Sequence, residues 1–124
     1  MVATVSEEQE ALKVDELPVD AEGIGDSTDA ALVLALATTT REEIDAKTPV
    51  LIGHLQLLLG EELGADEDPT VRELFHKAYA VLDLKNRPTP DTPAFSAFIF
   101  MREVASLTRR LLWVYTQRSG TGVA

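Results

Sequence analysis

The segment from Phe95 to Met101 constrains the fold more than any other part of the chain. Its sequence, Phe-Ser-Ala-Phe-Ile-Phe-Met, is apolar on nearly every side of a helix. The following residues keep the helical period, with apolar side chains on one side only at Val104, Leu107, Leu111 and Val114. A helix that is apolar all round must be covered by other protein. The segment is therefore either the central helix of a bundle or part of a contact between subunits.

We predict a contact between subunits, because a chain of 124 residues has few other helices to cover this one. The predicted interface residues are Phe95, Phe98, Ile99, Phe100 and Met101. The expected partner is a second copy of the chain or another protein. Replacing Phe98 with aspartate should then dissociate the assembly.

Capping signals divide the rest of the body into helices. Thr40 and Glu43 match the Thr-x-x-Glu capping box, and Asp68 with Pro69 matches a cap followed by proline at the first helical position. Pro49 should either kink the second helix or start a separate one. The predicted helices span residues 29–37, 41–60 (or to 64), 69–84 and 93–117. Since no strand pattern competes, the predicted fold is all-α, a three- or four-helix bundle.

Acidic residues are concentrated at the start of the chain. Residues 1–30 contain nine carboxylates and one basic residue, Lys13, whereas the formal net charge of the whole chain is -10. The same stretch has Pro18 and two glycines and no aromatic residue, so it offers little apolar surface to offset the entropy of ordering. We predict a disordered acidic arm over residues 1–27, a helical bundle domain over residues 28–118 and a frayed tail over residues 119–124.

Composition excludes several classes of function. The chain has no cysteine, which excludes disulfides, thiolate metal sites and cysteine nucleophiles. Its acidity disfavours binding to nucleic acid or to anionic membranes, because both need positive charge. No signal peptide and no apolar stretch of membrane-spanning length is visible, so we expect a cytoplasmic protein without membrane contact.

Three residues are candidates for ligand binding. Glu73 and His76 form a Glu-x-x-His pair on one face of the third predicted helix, a motif that di-metal carboxylate proteins use twice. Only one copy occurs here, so we predict surface residues and no metal site. His54 is the third candidate; it either contacts a ligand or lies at the core edge, while Gly53 beside it permits a close helix crossing. No catalytic signature is present, so we predict no catalytic residue and no cofactor, and an enzyme is disfavoured.

A basic and aromatic cluster marks the end of the last helix. It consists of Arg109, Arg110, Trp113, Tyr115 and Arg118. Such a cluster can bind phosphate or stack on a base, but in an acidic protein arginines more often pair with carboxylates. One source of such carboxylates is the acidic arm of the same chain.

The order of residues from about 39 to 115 resembles a family of small actinobacterial helical proteins of unknown function, some of them labelled natural-product biosynthesis proteins. The similarity is carried by Leu51-Ile52-Gly53-His54-Leu55-Gln56-Leu57-Leu58-Leu59, by the acidic pair that follows, and by the last amphipathic helix from Val104 to Tyr115. Gly60 stands where the family often has proline, and Ala78 to Leu82 replaces an arginine-rich helix. The resemblance implies a helical accessory protein in the bacterial cytoplasm and implies no activity.

These features predict a non-enzymatic interaction or accessory protein. We expect this protein to self-associate and to bind no cofactor. Two alternatives stay open from the sequence. One is a small helical-bundle enzyme or ligand binder in natural-product biosynthesis, with a pocket near His54. The other is a regulatory protein whose acidic arm engages a basic partner.

Overall fold

Four α-helices build the described part of the chain. A computed structural model describes residues 19–123, with side chains for residues 19–118. The helices are α1 (Ala21–Leu32), α2 (Arg41–Leu59), α3 (Pro69–Leu82) and α4 (Ala94–Val123), with short 3-10 turns at Leu36–Thr38 and Leu84–Asn86. No strand occurs within residues 19–123. The predicted all-α bundle of three or four helices is confirmed, and the number of α-helices is four in the described residues.

Helix α4 is the centre of the bundle, because α1, α2 and α3 all pack against it. Its inward side chains include Phe98, Met101, Val104 and Leu111, which are buried against the apolar stripes of the other three helices. The contributing residues are Ile24 and Ala31 from α1, Ile44, Leu51, Leu55 and Leu58 from α2, and Val71, Leu74 and Ala78 from α3. Of the two arrangements open from the sequence, the structure has the central helix.

Helix α1 corrects the predicted arm and the first predicted helix. Residues 21–27, assigned to a disordered arm, are helical, and Asp20 caps the helix by accepting a hydrogen bond from the backbone N–H of Gly23 at 3.1 Å. Thr28 lies inside the helix, and its hydroxyl donates to the carbonyl of Ile24 at 2.7 Å. The helix then ends at Leu32, not at residue 37. Packing of Ile24, Thr28 and Ala31 against the bundle outweighs the low helix propensity of this stretch.

The domain therefore extends to residues before 28 and includes Val19, which is itself buried. The remainder of the predicted arm, residues 1–18, lies outside the described residues. At the other end, the sequence predicts a frayed tail from residue 119. The structure differs, because the backbone continues α4 as far as Val123. Extending an existing helix needs no new nucleation, and the glycines in this tail weaken a helix without stopping it as proline would. Ala124 lies outside the described residues.

The capping predictions for α2 and α3 are confirmed. In α2 the backbone N–H of Glu43 donates to the Thr40 hydroxyl at 3.1 Å and the Thr40 N–H donates to the Glu43 carboxylate at 3.2 Å. In α3 Asp68 accepts from the Thr70 N–H at 2.8 Å, ahead of the helix that starts at Pro69. Pro49 lies inside a single continuous α2 on its exposed side, where water can satisfy the carbonyl that loses its partner.

Candidate interaction surface

Large apolar side chains remain exposed along one side of α4. Phe95 is 60% exposed, Ile99 is 47% exposed and Trp113 is 64% exposed. They belong to a stripe with the spacing of one helical face, which spans about 27 Å from first to last residue. We call this stripe the α4 outer face; its six residues, all exposed, are Phe95, Ile99, Glu103, Ser106, Arg110 and Trp113. The three helices that cover the rest of α4 leave this side open.

The predicted interface is wrong for three of its five residues. Phe98, Phe100 and Met101 are buried inside this chain's own bundle, at 5%, 8% and 0% exposure. Helix α1 spans Ala21–Leu32 instead of residues 29–37 and packs on α4 beside α2 and α3, so these side chains are covered without a second subunit. Phe95 and Ile99 are exposed and available for contact.

The arginines of α4 divide into two groups. Arg102 is half-buried; its Nη1 donates to the carbonyl of Leu32 at 3.1 Å, and its guanidinium lies 5.9 Å from the ring centre of Phe98. It therefore satisfies a carbonyl that the end of α1 leaves without a helical partner. Arg109 and Arg110 are exposed and form neither a hydrogen bond nor an ion pair with any described residue.

The basic and aromatic cluster expected at the end of α4 is not one site. Tyr115 is buried, and its hydroxyl accepts a hydrogen bond from the Val19 backbone N–H at 2.8 Å. Arg118 lies over Gly64 in the turn after α2, where the glycine has a φ of +86°. Trp113 is therefore the aromatic member that stays exposed with Arg109 and Arg110.

The three candidate ligand residues are not brought together. Glu73 and His76 are exposed on α3. Val50 and Leu51 of α2 line a groove together with Asp26 of α1. His54 lies one turn after these two residues, on the same side of α2. This side of α2 faces α1 and not α3. Within residues 19–118, no three histidine, aspartate or glutamate side chains form a group that could hold a metal ion. The Nε2 atom of His54 is buried and has no hydrogen-bond partner in the described chain.

Gly53 does not mark a close helix crossing. A Cβ atom built at this position would have no atom within 4 Å outside its own helical turn, and the residue is exposed. Changing Gly53 to alanine should therefore stabilise the protein by about 1 kcal/mol, the difference in helix propensity. The midpoint of urea unfolding measures this effect.

Gly64 is the matched control for that change. Its positive φ disfavours any side chain, and a Cβ there would lie 2.6 Å from Nη1 of Arg118. Gly64→Ala should lower the free energy of unfolding by about 1 kcal/mol or more. A loss of stability in Gly53→Ala would contradict the open surroundings of Gly53.

Sequence reasoning missed a polar clamp at the start of α2. Arg41 donates from Nε to Asp45 at 2.8 Å, from Nη2 to the carbonyl of Thr89 at 2.8 Å, and from Nη1 to the carbonyl of Thr92. Its side chain borders an open groove of about 540 Å³ that is otherwise lined mainly by α2 and by residues 87–90. Because the donors of Arg41 are used by these groups, the clamp holds the α3–α4 connection in place. The sequence shows the i, i+4 spacing of Arg41 and Asp45, but the carbonyls of Thr92 and Thr89 lie 51 and 48 residues away and leave no local signal.

Comparison with known proteins gives no relative for this chain. No family profile, no characterised protein and no solved structure matches it. In the described residues, none of the helices has the length and apolar character needed to span a membrane.

Proposed function

We propose that this chain is a non-enzymatic interaction protein that associates with a second copy of itself through the α4 outer face. The observation that carries the proposal is the exposure of Phe95, Ile99 and Trp113 on one side of an otherwise covered helix. Tryptophan in particular is enriched among the residues that dominate protein interfaces. The charged residues Glu103 and Arg110 lie between the apolar ones on this face and can form ion pairs across a contact.

The order of residues on the α4 outer face favours an antiparallel two-fold pairing centred on Ser106. In this register Ile99 lies opposite the partner's Trp113, and Glu103 lies within one residue of the partner's Arg110 on the same edge of the α4 outer face. A small residue at the centre allows two helices to approach closely. The pairing is self-complementary, as a two-fold contact must be.

Absolute mass over a range of protein concentrations tests this proposal. Size exclusion with light scattering should show a dimer that dissociates on dilution. Trp113→Glu should raise the dissociation constant about 30-fold, as expected for an interface residue that contributes about 2 kcal/mol. Leu57→Glu is the matched control, because Leu57 is a half-exposed apolar residue on α2 and its change should leave the dimer intact.

Charge exchange tests the register. Glu103→Arg and Arg110→Glu should each weaken the dimer, and the double variant should recover most of the lost affinity. An unmodified chain that is monomeric at every concentration would refute the proposal. A double variant whose loss of dimerisation free energy equals the sum of the two single losses would refute the register.

The bacterial setting, the cytoplasmic location and the biosynthetic context are also part of this proposal and rest on the sequence alone. The enzyme alternative has less support, because His54 lies apart from Glu73 and His76. The alternative in which the acidic segment engages basic groups is favoured by the unpaired Arg109 and Arg110.

A further inference from the structure

The described chain begins beside the second half of α4. Val19 is buried, and its backbone N–H donates to the hydroxyl of Tyr115 at 2.8 Å. Along the helix axis, Trp113 lies about 3 Å before Tyr115 and Arg110 lies about 7.5 Å before it, because they precede Tyr115 by two and five residues. The contact therefore fixes the point from which residues 1–18 extend, beside the second half of α4 and on the side of this helix opposite its outer face.

Two cations of α4 lie within about 9 Å of this point along the helix axis and have no described partner. Arg109 and Arg110 are exposed and pair with no described carboxylate. Adjacent guanidinium groups repel each other, so a nearby segment of negative charge lowers the energy of both. Trp113, one turn further, adds apolar surface to the same place.

The segment of residues 1–18 has the complementary charge and sufficient length. It contains five carboxylates and one lysine. Glu7, Glu8 and Glu10 lie 9 to 12 residues before Val19, so an extended chain places them up to about 30 to 40 Å away. Only about 20 Å is needed to pass around a helix of 10–12 Å diameter and along it to Arg109. Attachment at Val19 also gives the segment a high effective concentration at this surface.

We infer that residues 1–18 dock on the α4 outer face of the same chain through ion pairs of Glu7, Glu8 and Glu10 with Arg109 and Arg110, and that they cover Trp113. The docked segment occupies the surface that the proposed dimer uses. The acidic segment therefore competes with a second copy of the chain and sets the concentration at which self-association begins. This competition, unlike the docking itself, rests on the proposed function.

The single tryptophan reports the docking directly. Quenching of Trp113 fluorescence by acrylamide, a neutral quencher, is measured in the full chain at concentrations where it is monomeric. The triple variant Glu7→Gln/Glu8→Gln/Glu10→Gln should lower the docking equilibrium constant about fivefold and increase quenching. High salt should have the same effect on the unmodified chain, because it screens exposed ion pairs. Equal quenching in the unmodified chain and the triple variant at low salt would overturn the inference.

A second triple variant controls for net charge. Glu42, Glu67 and Glu73 are exposed carboxylates on other parts of the bundle, and their change to glutamine should leave Trp113 quenching unaltered. Light scattering then separates the two proposals. A tighter dimer in the Glu7/Glu8/Glu10 variant supports the competition. Altered quenching in a chain that never dimerises would uphold docking and refute self-association, whereas a dimer with unaltered quenching would refute docking alone.

Discussion

Phe98→Asp should unfold the protein and not merely separate two subunits. Phe98 is 5% exposed and faces the interior of the bundle from α4. Removal of a buried phenylalanine side chain costs about 3–5 kcal/mol, and the carboxylate that replaces it adds the penalty of a buried, unpaired charge. Since domains of this size are stable by about 5–15 kcal/mol, most of the stability should be lost. Circular dichroism during urea unfolding measures the result.

Phe95→Asp is the matched control on the same helix. Phe95 lies three residues earlier and is 60% exposed, so its change should alter the free energy of unfolding by less than about 0.5 kcal/mol. It should weaken the proposed dimer while the monomer stays helical. If the Phe98 variant instead unfolds at the same urea concentration as the unmodified chain, Phe98 is not in the core, and the original interface prediction for it returns.

Leu55→Ala should produce the second large effect. Leu55 is fully buried in the middle of α2, on the stripe that packs against α4. Loss of three buried carbon atoms and the cavity that they leave should lower the free energy of unfolding by about 3 kcal/mol. Urea unfolding followed by circular dichroism gives the value.

Leu57 provides the comparison, two residues along the same helix. It is 50% exposed, and Leu57→Ala should change stability by less than about 0.5 kcal/mol. Similar losses in the two variants would mean that α2 is rotated about its axis relative to the structure.

Local signals were sufficient to predict α2 and α3. The Thr40–Glu43 capping box and the Asp68–Pro69 pair act within one turn, so their effect does not depend on the rest of the fold. Helix α1 was misplaced because its cap, Asp20, lies in a stretch whose composition argues against order. Its stability comes from contacts with α4, which are distant in sequence and leave no local signal.

The same limit applies to the candidate surface. The apolar pattern of residues 95–101 shows that their side chains must be buried, but it does not show whether the same chain or a second one buries them. That depends on how completely the other helices cover α4, and the pattern within residues 95–101 carries no information about those helices. Likewise, spacing puts Glu73 and His76 on one face of α3, while Val71, Leu74 and Ala78 decide that this face points outward. His54 faces α1 for a similar reason.

The contact between Val19 and Tyr115 joins groups 96 residues apart in the chain. Helix α2 packs mainly on α4, so its closure spans α3, whereas closure of α1 on α4 spans both α2 and α3. The longer closure costs somewhat more entropy. We therefore expect the contacts of α1 with α4 to form after those of α2 and α3 with α4. In the native protein, α1 should be the first helix to detach, and its detachment would release the anchor of residues 1–18 before the core of the bundle opens.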